Sequence, residues 1–188
     1  MTGPEPLHLV VIVGSTRPRR MGRVVADWFL TQLGERQDAT WDLVDLAETG
    51  LPAVFESTPA VERYRERLDA ADAFVVVTPE YNHGYPAPLK QAIDLAHREW
   101  FAKPVGFVAY GGMAGGARAV EQLRQVFAEL HATTIRDSVG FHSVHAQFDG
   151  GELIDPEAAC VAAKVMLGQL AWWARALRDA RRREPYAA

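Results

Sequence analysis

A single cysteine, Cys160, stands among 188 residues, so no intrachain disulfide can form. It lies in the apolar stretch Ala158 to Val165 and reads as a small buried hydrophobe. That count permits a reducing compartment. Positive charge is also scarce: 20 basic residues face 24 acidic ones, a formal net charge of -4. A nucleic-acid binder normally carries a basic face, so nucleic acid is not an expected partner. No apolar run approaches the ~20 residues of a transmembrane helix, so no membrane partner is expected either. Met1 to Pro6 lacks the charged start and apolar core of a signal peptide, and a cytoplasmic location is the expectation. No repeat, low-complexity segment or linker divides the chain, which reads as one domain over residues 1–188.

The remaining sequence alternates two patterns. Leu7 to Val13, Ala73 to Val77 and Val105 to Tyr110 are short, continuously apolar and rich in β-branched residues, as strands buried on both faces are. Thr40 to Leu46 and Thr133 to Val139 read as two further strands. Between them, apolar residues recur at helical spacing in Gly22 to Leu33, Pro59 to Ala71, Pro86 to Arg98 and Ala117 to Leu130. Leu89, Ile93 and His97 share one stripe of the third of these. A last helix is expected from Pro156 to about Arg182, after a loop from Gly140 to Asp155. Strands alternating with helices imply right-handed crossovers and an α/β fold: a doubly wound, five-stranded parallel sheet of order 2-1-3-4-5, with helices on both faces.

Such a sheet binds ligands beyond the carboxyl ends of its strands, where strands one and three diverge. Three loops therefore carry the chemistry. The first, Gly14 to Arg23, joins a strand to a helix N-terminus, where free N–H groups and the helix dipole favour an anion. Ser15 and Thr16 add hydroxyls, while Arg17, Arg19, Arg20 and Arg23 add groups able to grip a phosphate with two bonds. The loop has neither the Gly-Lys-Ser/Thr ending of an ATP-type loop nor a Gly-x-Gly-x-x-Gly fingerprint. The second loop, Thr78 to Lys90, holds Pro79, Glu80, Tyr81 and Asn82, polar and aromatic groups suited to the edge of a planar ring. The third, Tyr110-Gly111-Gly112 through Gly116, lets backbone approach a ligand closely.

Other residues fit bland roles better. His142 and His145 have H-x-x-H spacing without a ligand cluster, so no metal is expected. His83 lies beside the second loop, where it could touch a substrate. Arg118 begins a helix and suits a structural role better than a phosphate contact. Trp100 and Phe101 read as exposed loop aromatics able to cover a subunit interface, and Trp172 and Trp173 as packing for the last helix. Arg181 to Arg183 read as a solvated helix end, where cations are favoured.

Taken jointly, Gly-Ser-Thr-Arg-Pro, then Thr-Pro-Glu-Tyr-Asn with Pro-x-x-Leu-Lys-x-x-Ile-Asp, then Tyr-Gly-Gly with Gly-Gly-x-Arg-Ala resemble the NADPH-dependent FMN reductase family of flavodoxin-like quinone, azo-dye and chromate reductases. The resemblance runs from about Leu7 to about Leu130, and Phe148 to Leu153 is similar to the family's late loop. It implies that Ser15 and Arg17 bind the FMN phosphate, with Thr16 and Met21, Gly22 and Arg23 adding donors. Pro79, Glu80, Tyr81 and Asn82 would line the ring, and Tyr110, Gly111 and Gly112 its pyrimidine side. Many relatives carry a serine where this chain has Met21-Gly22, which shifts the expected phosphate grip toward backbone and arginine.

The implied activity is hydride transfer from NADPH or NADH through flavin N5 to a small-molecule acceptor, either a flavin, a quinone or an azo compound. No catalytic side chain is expected, because the cofactor carries the chemistry. A homodimer or homotetramer is implied as well. An electron carrier without enzyme activity, or a regulatory module on the same fold, remain alternatives.

Overall fold

The computed structural model describes residues 5–187. Its main sheet comprises β1 (Leu7–Val13), β2 (Ala39–Asp45), β3 (Ala73–Pro79), β4 (Pro104–Tyr110) and β5 (Thr133–Phe141). All neighbours pair in parallel, in the order β2-β1-β3-β4-β5. The helices are α1 (Met21–Gly34), α2 (Pro59–Asp69), α3 (Ala87–Asp94), α4 (Ala117–Glu129) and α5 (Glu157–Arg183). A two-stranded hairpin, β6 (Phe148–Asp149) and β7 (Glu152–Leu153), precedes α5.

Strand side chains alternate between faces, and this divides the core in two. Leu9, Val11, Val13, Val75, Val77 and Val108 face α1 and α5. Val10, Ile12, Phe74, Val76, Val105 and Phe107 face α2, α3 and α4. That is why β1, β3 and β4 read as unbroken apolar runs: both of their faces are covered. Local signals set the helix starts. Thr58 caps α2, accepting from the Val61 N–H at 3.3 Å, and Pro59 occupies its first turn.

Several expectations need correction. α3 stops at Asp94, four residues before the expected Arg98, and His97 lies exposed beyond it. The chain then makes a short 3-10 turn at Arg98–Trp100, which buries Trp100 completely. Its indole N–H donates to the Ile93 carbonyl at 3.1 Å, and its ring packs edge-on against Phe74 and Phe127. Trp100 is therefore a core residue and no interface aromatic. The reverse holds for Trp172 and Trp173, which are 62% and 38% exposed, while α5 buries Ala163, Met166, Leu170 and Ala174 instead. β5 runs two residues beyond Val139 and contains a bulge opposite Val105 to Phe107. Arg124 caps the carbonyls freed near that bulge, those of Ile135 and Arg136. Cys160 is half-buried at the core margin.

The C-terminal arginines are not simply solvated. Arg181 donates to the Ala102 carbonyl and pairs with Asp72. Arg182 pairs with Glu5, whose carboxyl is held below its usual range by that bond. Neither contact is local in sequence, so a reading of the helix end alone could not supply it.

Candidate active site

A cleft of about 500 Å³ lies at the carboxyl ends of β1, β3, β4 and β5. Eight expected residues line it: Arg17 and Met21 at one end, Pro79, Glu80 and Tyr81 along one wall, and Tyr110, Gly111 and Gly112 beneath. Ser143 to Ala146 close the far side. That last wall, with His145 in it, was not anticipated. The strand order itself could have found it, because β5 pairs with β4 and brings its following loop beside Gly111. The Ser143 and Val144 N–H groups donate to the Gly112 and Gly111 carbonyls at 2.9 and 3.1 Å, stitching the two loops together.

The four arginines of the first loop divide into two pairs. Arg20 bonds Asp45 at 2.5 Å; the Asp45 side chain is 2% exposed. Arg23 bonds Asp27 at 2.8 Å and lies 3.9 Å from Glu48, which raises its pKa further above the usual arginine value. These two are committed to carboxylates. Arg17 and Arg19 are exposed and have no ion pair among the described residues. The Arg17 guanidinium lies over the Tyr81 ring, 3.7 Å from its centroid. Arg19 sits at φ 54°, which turns the loop sharply before α1.

The other five expected residues lie around the cleft without lining it. Ser15 is fully buried, and its hydroxyl bonds the Tyr81 hydroxyl at 2.7 Å. Thr16 faces a separate apolar hollow with Leu46, Pro52 and Pro88. Gly22 underlies the floor: a Cβ there would stand 2.8 Å from the Tyr110 hydroxyl. Arg23 points to its carboxylates. Asn82 sits at φ 51° beside His83 at φ 71°, forming the tip of a tight turn closed by Tyr81 and Gly84. Two successive positive φ values suit Asn and tolerate His.

The Glu80 carboxylate is turned toward α4. Its carboxylate accepts from the Arg118 side chain at 2.5 Å and from the Arg118 N–H at 3.2 Å, so it caps α4. Arg118 also reaches a His83 ring nitrogen at 2.7 Å, and Gln122 bonds the His83 carbonyl at 2.8 Å. Arg118 thus has the structural role expected of it: it fastens the Tyr81–Gly84 turn to α4. The cleft is presented instead with the backbone of this loop, which is fixed by the Glu80 N–H donating to Tyr110 at 2.9 Å. Gly116 lets α4 start close against β4. Its φ is 89°, and a Cβ there would fall 2.5 Å from that of Ala109. His142 bonds the Met113 carbonyl at 2.7 Å, and among the described residues no group of three or more metal-ligating side chains gathers.

A family described as NADPH-dependent FMN reductase matches residues 7–146. The chain belongs to that family. An NAD(P)H-dependent FMN reductase of Schizosaccharomyces pombe is 38% identical over 67% of this chain and 70% of its own. An NADPH azoreductase of a Bacillus species is 32% identical over 78% and 82%. Among solved structures, FerB of Paracoccus denitrificans, a flavoenzyme NAD(P)H:(acceptor) oxidoreductase, shares the fold with a TM-score of 0.71 at 22% identity, covering 90% of this chain and 98% of FerB. As a member of the FMN reductase family, this chain is an oxidoreductase that uses FMN with NAD(P)H as donor.

The cleft has groups that fit FMN. α1 begins without a side-chain cap and without an acidic residue in its first turn. The N–H groups of Ser15, Thr16, Arg17 and Arg19 make no backbone hydrogen bond among the described residues. Unfilled donors at a helix N-terminus suit a phosphate. Beside Gly22, in that same first turn, the Tyr110 hydroxyl is buried without a partner among the described residues, and burial holds its pKa above the ordinary phenol value. A Cβ on Gly112 would meet open space, so the floor there stays bare for a ring.

Proposed function

We propose that the FMN phosphate rests on the Ser15-to-Arg20 loop and the first turn of α1, with its ring along Pro79, Glu80 and Tyr81 and over Gly111 and Gly112. One observation carries this reading. A single cleft has free N–H groups and two uncommitted arginines at one end, and the exposed backbone of two loops at the other. FMN, when bound, supplies the two-electron chemistry. The residues have simpler tasks. Arg17 and Arg19 neutralise the phosphate, and backbone N–H groups orient it. The Gly111–Gly112 peptide groups offer donors to the ring edge, where negative charge is stabilised by preorganised dipoles. Tyr81, tied to Ser15, holds the wall in place. The Ser143 to Ala146 wall restricts water and shapes the acceptor's entry.

The acceptor class in this reading is a small planar oxidant: a free flavin, a quinone or an azo compound. No side chain acts as nucleophile, and no metal takes part. Among the described residues no helix is long and apolar enough to cross a membrane, and we place the chain in the cytoplasm as one domain. A homodimer or homotetramer belongs to the same reading. Buried Trp100 does not support it, but exposed Met113, Val161, Val165 and Trp172 do. Light scattering on the eluting protein measures that state.

The central test is a visible spectrum of purified protein supplied with FMN, followed by NADPH and NADH added separately without oxygen. Stoichiometric yellow protein that bleaches with either donor is expected. Retained FMN with no bleaching would remove the reductase reading, while absent FMN binding would remove the proposed site.

A further inference from the structure

The opposite pole of the sheet carries a second cavity, of about 640 Å³. It opens where α2 ends, where β3 and β4 begin and where α5 finishes. Five cationic side chains line it: Arg98, Lys103, Arg178, Arg181 and Arg182. Two carboxylates, Asp69 and Asp72, line it with them, and a third, that of Glu5, pairs with Arg182 at its edge. This excess is notable in a chain of formal net charge -4.

Three of the cations are held inward. Lys103 and Arg178 are 6% and 8% exposed, and the Arg181 side chain is 20% exposed. Both arginines share one carboxylate, that of Asp72, at 3.0 Å from Arg178 and 3.7 Å from Arg181. Their other paired donors, and those of Lys103, rest on neutral carbonyls, while the buried Arg178 Nε has no partner among the described residues. Lys103 bonds those of Leu68 and Asp69, Arg178 those of Glu5 and Pro6, and Arg181 that of Ala102. Carbonyls satisfy hydrogen bonds without cancelling charge, so a positive field remains. Inward cations without full countercharge are costly, and an anion relieves that cost. Burial pushes the Lys103 ammonium down to about 8; neighbouring Arg181 adds to this, and the carboxylates of Asp69 and Asp72 oppose it.

The mouth is built for a larger guest than a single halide. Arg98 is exposed and has no ion pair among the described residues. Arg182 stands opposite, on α5. Phe101 and Tyr186 form a side wall, their ring centroids 6.0 Å apart, and the Tyr186 hydroxyl is fixed to His131 at 2.9 Å. Guanidinium forks from two separate elements match the spread oxygens of linked phosphates, each able to take two bonds.

We propose that this cavity binds a polyphosphate-type anion, gripped by Arg98, Arg181 and Arg182 within the field of Lys103 and Arg178. The site is separate from the cleft and does not depend on it. Inorganic pyrophosphate is the first probe, titrated calorimetrically into protein saturated with FMN, so that the cleft's own phosphate position is filled. Ionic strength is held constant with sodium chloride. One saturable site with Kd below about 1 mM is expected. Replacing Arg98 and Arg182 together by Ala should weaken it at least about tenfold, the scale of losing charge-assisted hydrogen bonds. The flavin spectrum and the rate of bleaching by NADPH should not change. Arg98→Glu, at an exposed position with no ion pair to break, should act in the same direction without disturbing the fold.

ADP, which carries the same linked phosphates, in a parallel titration separates two sources of the anion. Tighter binding than pyrophosphate, lost in the double variant, assigns a nucleotide whose base lies on the Phe101 and Tyr186 wall. Weaker binding assigns a free polyphosphate. No saturable binding of pyrophosphate, or the same Kd in the double variant, would overturn the proposal.

Discussion

Two arginine clusters occupy opposite ends of one sheet, and they handle charge differently. At the carboxyl end, Arg20 and Arg23 are tied to Asp45 and to Asp27 with Glu48, and this leaves Arg17 and Arg19 free at the cleft. At the amino end, Arg178 and Arg181 are folded inward onto carbonyls and a shared Asp72, leaving Arg98 at the rim. In both places the inner arginines held against a shielded carboxylate, Arg20 and Arg178, build the structure, and the outer ones, Arg17, Arg19 and Arg98, face solvent. Each site therefore has its own scaffold of committed charge, and proximity in sequence does not say which arginine belongs to which group.

The sharpest way to break this comparison is to remove an inner arginine. Arg178→Ala strands the half-buried Asp72 and the carbonyls of Glu5 and Pro6, and should cost about 3–5 kcal/mol in chemical denaturation. A loss below about 1 kcal/mol would show that Arg178 is not structural. Arg20→Ala should cost somewhat less, about 2–3 kcal/mol, because its side chain remains 17% exposed while Asp45 is left buried. Outer arginines should behave in the opposite way. Arg17→Ala should weaken FMN binding about tenfold, by fluorescence titration, while the midpoint of unfolding barely moves. If Arg17→Ala destabilised the fold as much as Arg20→Ala, the division into inner and outer pairs would fail.

A smaller effect follows from Lys103. Its pKa falls from 10.5 to about 8 in the folded chain, so between those values the unfolded chain holds more protons. Stability must then rise with pH over that window, by about 2 kcal/mol between pH 8 and 10. Asp69, Asp72, Glu99 and Arg181 are the charged groups that face Lys103. Denaturation at each pH measures the slope, and Lys103→Met should flatten it.

Much of this was legible beforehand. Continuous apolar runs in β1, β3 and β4 required a sheet covered on both faces, and the loop chemistry after those strands located the cleft. The errors share one cause. Trp100 was read from a loop position, yet a 3-10 turn after a shortened α3 drives its ring between Phe74 and Phe127. Ser15 and Glu80, expected to contact a ligand, also have side-chain partners that no local reading supplies, Tyr81 and Arg118, 66 and 38 residues away. The wall from Ser143 to Ala146 has no motif beyond the H-x-x-H spacing that ends on His145, and only the pairing of β5 with β4 brings it to the site.

The sequence by itself determined the alternation of strands and helices, the order of the sheet and the family, because periodicity and loop motifs are local properties. Tertiary structure decided which charged and aromatic side chains are spent on the fold and which remain for a ligand. That choice depends on partners distant in the chain, such as Asp45 for Arg20 and Asp72 for Arg178. Burial sets its strength, since a charge removed from water must find its opposite or a carbonyl, and only the folded chain brings these within reach.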